Sequence, residues 1–538
     1  MNAAQLLVRC LENEGVRYVF GIPGEETLAL NAALDDSDEI QFVLTRHEQA
    51  AAFMADVYGR LSTYPGVCLA TLGPGATNLL TGVADAQLDR APVVAITGQA
   101  DLERVHKESH QYLDVVRMFD PVTKWSVRVQ LAETIPEIVR KAFRLARLEK
   151  PGATHIELPE DVAAEEVSAS PLEVRRTTYP EASPEALERA AEIIATAHAP
   201  IVLVGNGVTR RDAAGHGTVA ALRSFVARTG IPAVSTFMAK GTLDPREPGY
   251  AGPVGLQRPG ADLRIVPALA NADLVIAVGY DLVEWAPALW NPKKDKLVVH
   301  VDSTAAELDG HYQPKLEVVG EIDESLAALT EKLPSRGEPR KMPSTVFAGT
   351  GGSPIGPADV VMALRDALGD DDVVVSDVGA HKVWLARLYA ARRPNTIVIS
   401  NGLASMGIAL PGAIAAKLVR PERNVVAFSG DGGFLMNVQE LETAKRLGTA
   451  IVCVVLVDGR LGVIEMNERR LFGRTFATAF GNPDYVALAR SFGIAGFAVE
   501  HVEGLRPTLR KALDLNEPAI VAVPIDASQN DRLASEGE

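Results

Sequence analysis

Short apolar runs alternate with helical segments along almost the whole chain. The runs have the length of buried strands, and strands that alternate with helices are typical of parallel β-α-β units. The predicted strands are residues 17–22, 41–44, 67–72, 92–97, 201–205, 273–279, 297–302, 373–376, 397–400, 424–429, 450–457 and 519–524. The pattern predicts an α/β protein made of doubly wound parallel sheets.

Two stretches interrupt this alternation. Residues 163–184 carry Ser, Glu, Arg and three prolines, and residues 334–354 are rich in Pro, Gly, Ser and Thr, so both are predicted to be linkers. They divide the chain into three predicted α/β domains at residues 1–165, 185–333 and 355–530. A chain of 538 residues agrees with three cores, because one domain usually has about 100–200 residues.

Charge and composition exclude some partners. The formal net charge is -16 and Lys and Arg are not clustered, which argues against nucleic acid or an anionic membrane surface as a partner. Neither a signal-peptide pattern near Met1 nor an apolar stretch of about 18 residues is visible. The three cysteines, Cys10, Cys68 and Cys453, are far apart and fit a reducing compartment. We therefore expect a cytoplasmic protein.

Acidic residues follow two predicted strands of the third domain. Asp431 lies between glycines directly after the strand at 424–429, and Asp458 directly follows the strand at 450–457. Ligands of open α/β sheets bind outside the carboxyl ends of the strands, so both carboxylates could face one point. Hard oxygen ligands of this kind suit Mg²⁺ that is shared with a diphosphate. Either acid could instead cap a helix.

The Gly-Asp-Gly turn and the acid 27 residues further on resemble the signature of the thiamine-diphosphate (ThDP) enzymes, and the resemblance extends over nearly the whole chain. It implies that Asp431, Asp458 and the carbonyl of Arg460 bind Mg²⁺. Most of that superfamily has Asn at the second position, but Asp458 still offers an oxygen, and catabolic acetolactate synthases have the same residue. The resemblance implies further cofactor contacts at Gly379, His381, Gly430, Gly432, Gly433, Leu461 and Gly462.

Two more motifs resemble the family. Residues 46–51, Arg-His-Glu-Gln-Ala-Ala, match its R-H-E-Q-A-A motif and imply that Glu48 is the catalytic acid at the coenzyme's aminopyrimidine. Residues 400–407 resemble the turn over which the two coenzyme rings fold, with Ala404 in contact and Met406 as the apolar wedge. From the residues alone, Glu48 could be a first-turn glutamate and Met406 a core methionine. The family forms its sites between subunits, which implies a homodimer or homotetramer.

Within the ThDP enzymes the chain resembles the catabolic, FAD-independent acetolactate synthases. Residues 109–114 look like the catabolic H-Q-x-x-D stretch, in which Gln111 would hydrogen-bond the bound intermediate. Residues 279–291 resemble the catabolic sequence and differ from the F-D-D-R stretch of FAD-dependent relatives. FAD is therefore expected to be absent.

This resemblance implies a reaction. Pyruvate would be decarboxylated on ThDP, and the hydroxyethyl carbanion would be ligated to a second pyruvate to give 2-acetolactate and CO₂. Biosynthetic synthases have Trp at the position of Asn467. Burial of the extra methylene of a longer acceptor is worth roughly 1 kcal/mol, and without the apolar indole little favours that burial, so pyruvate should suffice as acceptor. Residues 379–384 depart from the family patterns, which leaves the roles of His381 and Lys382 open. The predicted substrate contacts are Pro23, Gly24, Gln111, Lys382, Met466 and Asn467.

Other functions stay open at this stage. The chain could be another ThDP-dependent 2-oxoacid decarboxylase or carboligase, or a non-catalytic ThDP-binding paralogue. An NAD-linked oxidoreductase is disfavoured, because Gly205-Asn206-Gly207 is followed by Arg210 where a dinucleotide fingerprint needs its third glycine.

Overall fold

The structure is a computed structural model that describes residues 1–62, 64–175, 177–255, 267–339 and 354–535. Within these ranges the strands form three six-stranded sheets, and all strand pairs are parallel. Helices cover the faces of each sheet. This arrangement confirms the predicted fold class.

The strands follow one another along the chain in three sets. The first sheet contains β1 (Tyr18–Gly21), β2 (Gln41–Leu44), β3 (Gly66–Ala70), β4 (Val93–Gln99), β5 (Trp125–Arg128) and β6 (Ala153–Pro159). The second contains β7 (Pro200–Val204), β8 (Ala233–Thr236), β9 (Tyr250–Val254), β10 (Leu274–Val278), β11 (Leu297–Asp302) and β12 (Leu316–Val319). The third contains β13 (Val373–Ser376), β14 (Ile397–Ile399), β15 (Val425–Gly430), β16 (Ile451–Val457), β17 (Ala495–Ala498) and β18 (Ala519–Pro524).

The helices divide in the same way. Around the first sheet lie α1 (Ala3–Asn13), α2 (Leu28–Asp35), α3 (Glu48–Ser62), α4 (Pro74–Leu88), α5 (Val115–Phe119), α6 (Ile135–Arg147) and α7 (Glu160–Ala164). Around the second lie α8 (Pro184–Thr196), α9 (Asn206–Ala213), α10 (Thr218–Thr229), α11 (Pro267–Ala270), α12 (Pro287–Trp290) and α13 (Ile322–Lys332). Around the third lie α14 (Pro357–Ala367), α15 (Ala380–Leu388), α16 (Ala409–Val419), α17 (Asp431–Met436), α18 (Glu440–Leu447), α19 (Gly462–Phe472), α20 (Tyr485–Ser491), α21 (Val502–Asp514) and α22 (Arg532–Ser535).

Strand order locates the ligand-binding edges. The first sheet runs β2-β1-β3-β4-β6-β5 and the third runs β14-β13-β15-β16-β18-β17, so these two sheets share one topology. The second runs β12-β11-β10-β7-β8-β9. In the first and third sheets the order reverses between β1 and β3 and between β13 and β15. Crevices at the carboxyl ends of the strands are expected at those two points.

Small side chains join the first and third domains. One apolar cluster includes the alanines of α3, among them Ala51 and Ala55, together with Ala409 and Ala413 of α16. A Cβ at Gly412 would stand 2.8 Å from Cγ2 of Val57, so the two helices lie very close together. The first and third domains therefore share part of their hydrophobic core.

Some predicted bounds differ from the structure. The strand predicted at 397–400 ends at Ile399, and α16 begins only at Ala409, because a turn at Gly407 with φ of +95° precedes it. The first predicted linker, residues 163–184, contains the last residues of α7 and ends at the first residue of α8. In the second predicted linker, residues 334–354, residues 340–353 lie outside the described residues. Among the described helices, none has the length and apolar character needed to cross a membrane.

Candidate active site

Asp431 is the first residue of α17 and lies directly beyond the carboxyl end of β15. It is 2% exposed, and its Oδ2 accepts hydrogen bonds from the backbone N–H groups of Asp458 (3.0 Å) and Gly459 (2.6 Å). The side-chain amide of Asn482 donates to the same oxygen at 2.7 Å, and the N–H of Gly432 donates to Oδ1 at 2.8 Å. These four donors hold the carboxylate against the end of β16.

Asp458 follows the neighbouring strand β16, so the structure brings the two predicted metal-binding acids together. Its Oδ1 accepts a hydrogen bond from the N–H of Arg460 at 3.1 Å. Burial, together with the nearby carboxylates of Asp431 and Glu465, raises the pKa of Asp458 to about 6. The carboxylates at this edge of the sheet therefore repel one another, as expected for acidic side chains that lie close together.

The chain after Asp458 is held by a second segment. Gly459 has φ of +65°, and its carbonyl accepts from the N–H of Phe480 at 2.9 Å. The N–H of Leu461 donates to the carbonyl of Thr478 at 2.9 Å. The predicted contacts Arg460, Leu461 and Gly462 thus lie in one fixed turn that leads into α19.

Gly432 lies where three apolar side chains converge. A Cβ at this position would stand 3.3 Å from Phe480, 3.5 Å from Leu461 and 3.5 Å from Met406. The Cα of Gly432 is therefore bordered by three apolar side chains. Met406, the predicted wedge, reaches the same point as the predicted diphosphate turn.

At two further positions, neighbouring side chains lie too close to the backbone to leave space for a Cβ atom. At Gly433 a Cβ would stand 2.4 Å from Oδ1 of Asp377, and at Gly430 it would stand 3.0 Å from Nδ1 of His381. The same imidazole ring lies 2.8 Å from a Cβ built on Gly379. Gly430 and Gly433 thus pack against side chains that follow β13, across the crevice between β13 and β15, while Gly379 packs against His381 on the β13 side.

Asp377 also shapes the turn between β14 and α16. Its buried carboxylate accepts hydrogen bonds from the N–H groups of Gly407 (2.9 Å) and Ala409 (3.2 Å). Ala404 of this turn has φ of +55°, a left-handed conformation that is uncommon for a residue with a side chain. Surrounding contacts must maintain such a conformation, and it occurs often at functional sites.

Acids of the first domain hold the other end of this turn. Asp89 accepts hydrogen bonds from the N–H groups of Asn401 (3.0 Å) and Gly402 (2.5 Å), and Asp85 accepts from the Ser400 hydroxyl at 2.7 Å. Both carboxylates are buried. The turn that carries Ala404 and Met406 is therefore fixed by both domains.

His381 and Lys382 lie at the start of α15 and are both buried. Burial lowers the pKa of His381 to about 3, so the ring that packs against Gly379 and Gly430 is neutral. Burial also lowers the pKa of Lys382 to about 8. Its Nζ donates to the carbonyl of Ser400 at 2.9 Å, so within one chain the Lys382 ammonium supports the turn after β14.

Glu48 is the first residue of α3, at the carboxyl end of the first sheet. Its Oε2 accepts a hydrogen bond from the side-chain amide of Asn78 at 2.9 Å. Its Oε1 lies 3.5 Å from a Cβ built on Gly75. The carboxylate is therefore oriented by α4, which carries both neighbours.

The other predicted first-domain residues lie near the same edge. In the turn Pro23-Gly24, a Cβ on Gly24 would stand 2.3 Å from Cβ of Thr71, so the turn packs on the end of β3. Gln111 is exposed, has φ of +56°, and its carbonyl lies 2.8 Å from a Cβ built on Gly73. Pro23, Gly24, Glu48 and Gln111 form what we call the first-domain group.

The residues Gly430, Asp431, Gly432, Gly433, Asp458, Arg460, Leu461, Gly462 and Met406 form what we call the third-domain group. Within one chain, the described hydrogen bonds that connect the region of Glu48 to the third domain are made by residues next to Glu48. The N–H of Arg46 donates to Glu440, and Asn437 donates to Gln49 at 3.4 Å. The carboxylate of Glu48 itself bonds to Asn78 of the first domain.

Met466 and Asn467 lie on α19, which starts at Gly462. Both are half-buried, and Met466 packs against the apolar core of the third domain. Helix α19 thus connects the predicted acceptor-side residues directly to the turn after Asp458.

Sequence reasoning missed several residues that shape these groups. Asp377 directly follows β13, so the rule that found Asp431 and Asp458 at strand ends could also have found it. Asn482, Asp85 and Asp89 follow no strand and carry no motif. Their importance depends on contacts between distant segments, such as the 51 residues that separate Asn482 from Asp431.

The third-domain group fits a divalent cation with a diphosphate. Asp431 and Asp458 supply hard oxygen ligands, and Oδ1 of Asp431, with one hydrogen bond from Gly432, keeps further acceptor capacity. A cation between the acids would remove the repulsion that raises the pKa of Asp458. The glycine backbone beside them leaves room for a phosphate to approach.

Comparisons with known proteins agree with this geometry. The chain matches three models of thiamine pyrophosphate enzymes: the N-terminal TPP binding domain at residues 1–118, the central domain at 187–329 and the C-terminal TPP binding domain at 377–523. The C-terminal match spans Asp431 and Asp458, and the N-terminal match spans Glu48. Thiamine pyrophosphate is ThDP under another name.

Whole proteins are also similar. The chain is 39% identical to an acetolactate synthase of Bacillus subtilis over 99% of its own length and 95% of that protein. It is 36% identical to the catabolic acetolactate synthase of Raoultella terrigena (98% and 96%). It is 35% identical to the large subunit of acetolactate synthase isozyme 2 of Escherichia coli (98% and 96%). The chain therefore belongs to the thiamine pyrophosphate enzymes and, within them, to the acetolactate synthase family.

Proposed function

We propose that this protein is an acetolactate synthase that uses ThDP and Mg²⁺ to convert two molecules of pyruvate into 2-acetolactate and CO₂. The observation that carries the proposal is the meeting of Asp431 and Asp458 beyond adjacent strands, with Oδ2 of Asp431 3.0 Å from the N–H of Asp458. Membership of the acetolactate synthase family supports the choice of reaction.

Each domain has its own part in this proposal. Asp431, Asp458 and the carbonyl of Arg460 would hold Mg²⁺, and the backbone at Gly430, Gly432, Gly433, Leu461 and Gly462 would hold the diphosphate. Gly379 and His381 would support that turn from across the crevice. When bound, ThDP supplies an electron sink for decarboxylation.

Glu48 would exchange a proton with the aminopyrimidine of the coenzyme. Its hydrogen bond from Asn78 leaves Oε1 as the freer oxygen for that contact. Met406, which converges with Leu461 and Phe480 on Gly432, would support the bent coenzyme, with Ala404 beside it. These residues contribute orientation and proton transfer, which are the main ways a protein assists a cofactor.

Pyruvate would bind between the first-domain group and α19. Gln111 would donate a hydrogen bond to the substrate oxygens, and the turn Pro23-Gly24 would place backbone beside the reacting carbonyl. Met466 and Asn467 would limit the size of the acceptor. We assign Lys382 an indirect part, because its Nζ bonds to Ser400 of the turn that carries Met406.

The central domain favours a reaction without FAD. Helix α9 begins at Asn206, where a helix N-terminus could receive a phosphate. The Glu284 carboxylate instead accepts from the N–H of Asn206 at 2.9 Å, and from the Thr236 hydroxyl at 2.5 Å. Lys150 forms a close ion pair with Asp281 nearby. These internal partners occupy groups that would otherwise be available to a dinucleotide.

Oligomerisation is part of the proposal. Large apolar side chains stand exposed near the third-domain group, among them Met436, Phe472 and Phe476, and exposed apolar surface of this kind marks association sites. A second copy would cover this edge and supply Glu48, in a homodimer or homotetramer. We further propose a cytoplasmic location, since the three cysteines are buried free thiols.

Product analysis tests the function. The purified protein, given pyruvate, ThDP and Mg²⁺ without FAD, is expected to form 2-acetolactate and to release one CO₂ for every two pyruvates consumed. Acetaldehyde as the main product would favour a simple 2-oxoacid decarboxylase. ThDP binding without turnover would favour a non-catalytic paralogue.

A further inference from the structure

Glu440 is a buried acid of the third domain that reaches the first domain. It is the first residue of α18 and is 0% exposed. Its Oε1 and Oε2 lie 3.0 and 3.2 Å from the backbone N of Arg46, which donates a hydrogen bond to the carboxylate. The Thr443 hydroxyl donates to Oε2 at 2.7 Å. The carboxylate thus lies at the border of the two domains.

The segment that Glu440 contacts leads directly into α3. Helix starts leave several N–H groups without partners inside the helix, and side chains usually satisfy them locally. Here Arg46 and His47 precede Glu48, and the N–H of Gln49 donates to Nδ1 of His47 at 3.1 Å. An acid from another domain therefore takes part in fixing the start of the helix that carries Glu48.

Two neighbouring contacts join the same elements. The guanidinium of Arg446, on α18, donates to the carbonyl of Leu44 at the end of β2. Asn437, between α17 and α18, donates to Gln49 at 3.4 Å and to the carbonyl of Gly407 at 2.8 Å. The connection between β2 and α3 is therefore bound to the third domain on both sides of Glu48.

We propose that Glu440 is a positioning residue for Glu48, which it fixes through the backbone of Arg46 at the start of α3. The inference rests on the proposed function only in giving Glu48 its role at the coenzyme. Glu440 contacts neither group of site residues defined above, so it would act through geometry alone.

A carboxyl group with two accepting oxygens matches the donors of this contact. Both oxygens of Glu440 accept, so a backbone N–H and a hydroxyl are satisfied by one side chain. The amide of glutamine has one accepting oxygen and one donating nitrogen, and in this buried site that nitrogen would either oppose the N–H of Arg46 or force the Thr443 hydroxyl to accept instead of donate. Glu440→Gln therefore keeps the volume of the side chain and replaces one of its two accepting oxygens with a donating nitrogen.

Amide hydrogen exchange in the cofactor-free protein tests the contact. In Glu440→Gln, exchange across residues 44–52 is expected to be roughly tenfold faster than in the wild type, the change that loss of about one buried hydrogen bond produces. The control is Glu517→Gln, which alters a half-exposed acid that pairs with Lys445 of the same helix. Equal exchange in both variants and the wild type would overturn the proposal.

Kinetics separate positioning from a merely structural role. Glu440→Gln is expected to lower kcat at least about tenfold and to displace the pH profile of kcat with unchanged ThDP affinity, while the melting temperature falls by only a few degrees, as for the loss of one buried hydrogen bond. Parallel loss of ThDP affinity and melting temperature, with no displaced profile, would show a structural role and overturn the proposal. If Glu440→Gln does not fold, Thr443→Val, which removes one donor to the same carboxylate, is expected to give a smaller change in the same direction.

The two proposals fail differently. If the wild type forms no acetolactate, the proposed function fails, but hydrogen exchange in the cofactor-free protein still decides whether Glu440 fixes the start of α3. If acetolactate forms and Glu440→Gln matches the Glu517→Gln control in exchange and kcat, only the positioning role is excluded.

Discussion

At the scale of single residues, Asp431 is held in place before any cation binds. Four N–H donors surround its carboxylate, from Gly432, Asp458, Gly459 and Asn482. In the proposed magnesium site, a ligand that is already oriented would lose little freedom when the cation binds, which would favour tight binding. Asp458 accepts one described backbone hydrogen bond, from Arg460, and is the less constrained of the two acids.

This difference predicts unequal effects of two substitutions. Asp431→Asn is expected to weaken Mg²⁺ binding more than about 100-fold, because it removes charge and disturbs the turn at Gly459. Asp458→Asn should cost less than about tenfold, since an amide oxygen can still coordinate. Titration of ThDP binding against Mg²⁺ measures both. Equal losses in the two variants would contradict the assignment.

A second residue-scale prediction concerns Gly433. A Cβ there would stand 2.4 Å from Oδ1 of Asp377, so Gly433→Ala must displace the carboxylate that holds Gly407. We expect a destabilisation of about 1–3 kcal/mol together with weaker ThDP binding. The control is Gly481→Ala, where a Cβ meets nothing within 4 Å. Chemical denaturation of both variants should show a change only for Gly433→Ala.

How far single residues could be predicted depended on whether they carried a motif. Asp431, Asp458 and Glu48 occur in short recognisable patterns at strand ends, and the structure puts the two aspartates together. Glu440 shows no comparable signal, because its partner Arg46 lies 394 residues away in the sequence. Such contacts follow from the tertiary structure and are not visible in local patterns.

At the scale of elements, the apolar runs predicted most central strands, whereas strands with polar residues and four of the six edge strands were missed. Predicted bounds agree with β2, β11, β13 and β18 to the residue. Strand β6 was missed although it is fully buried, because Thr154, His155 and Glu157 interrupt its apolar pattern. The edge strands β5, β9, β12 and β17 are only partly buried, so the pattern of buried runs did not apply to them.

His155 on β6 gives a pH prediction. Its ring lies 4.1 Å from that of Phe119 and bonds to the hydroxyls of Thr97 (2.9 Å) and Ser126 (2.8 Å). Burial lowers the pKa of His155 to about 3. The unfolded chain binds a proton below about pH 6.5 and the folded chain does not, so His155 removes stability as the pH falls below that value.

The size of the effect follows from the shift. Between pH 6.5 and 5.5 the wild type should lose roughly 1 kcal/mol more stability than His155→Gln, which cannot titrate. Urea denaturation of both proteins at the two pH values measures the difference. An identical pH dependence would mean that the imidazole can be protonated in the folded protein.

At the scale of the whole molecule, the first and third sheets share one strand order and pack through the alanines of α3 and α16. The three-domain α/β architecture was predictable, because alternating strands and helices leave few arrangements. The contact between the first and third domains was not predictable, because small residues on a helix do not indicate which other helix it packs against. The central domain also differs from its neighbours in strand order.

Mixing of inactive variants tests whether sites form between subunits. Glu48→Gln and Asp431→Asn should each be inactive, because each removes one half of every site. Refolding an equal mixture should restore about a quarter of the wild-type activity, since half of random dimers are mixed and each has one intact site. If the mixture stays inactive, both halves of a site come from one chain.

A crystal structure of the protein with ThDP and Mg²⁺ tests the proposed site most directly. We predict that Asp431 and Asp458 both coordinate the cation, with the diphosphate against Gly432 and the aminopyrimidine beside Glu48 of a second copy. A structure in which the two aspartates face different ligands, or in which no Glu48 lies near the aminopyrimidine, would contradict this.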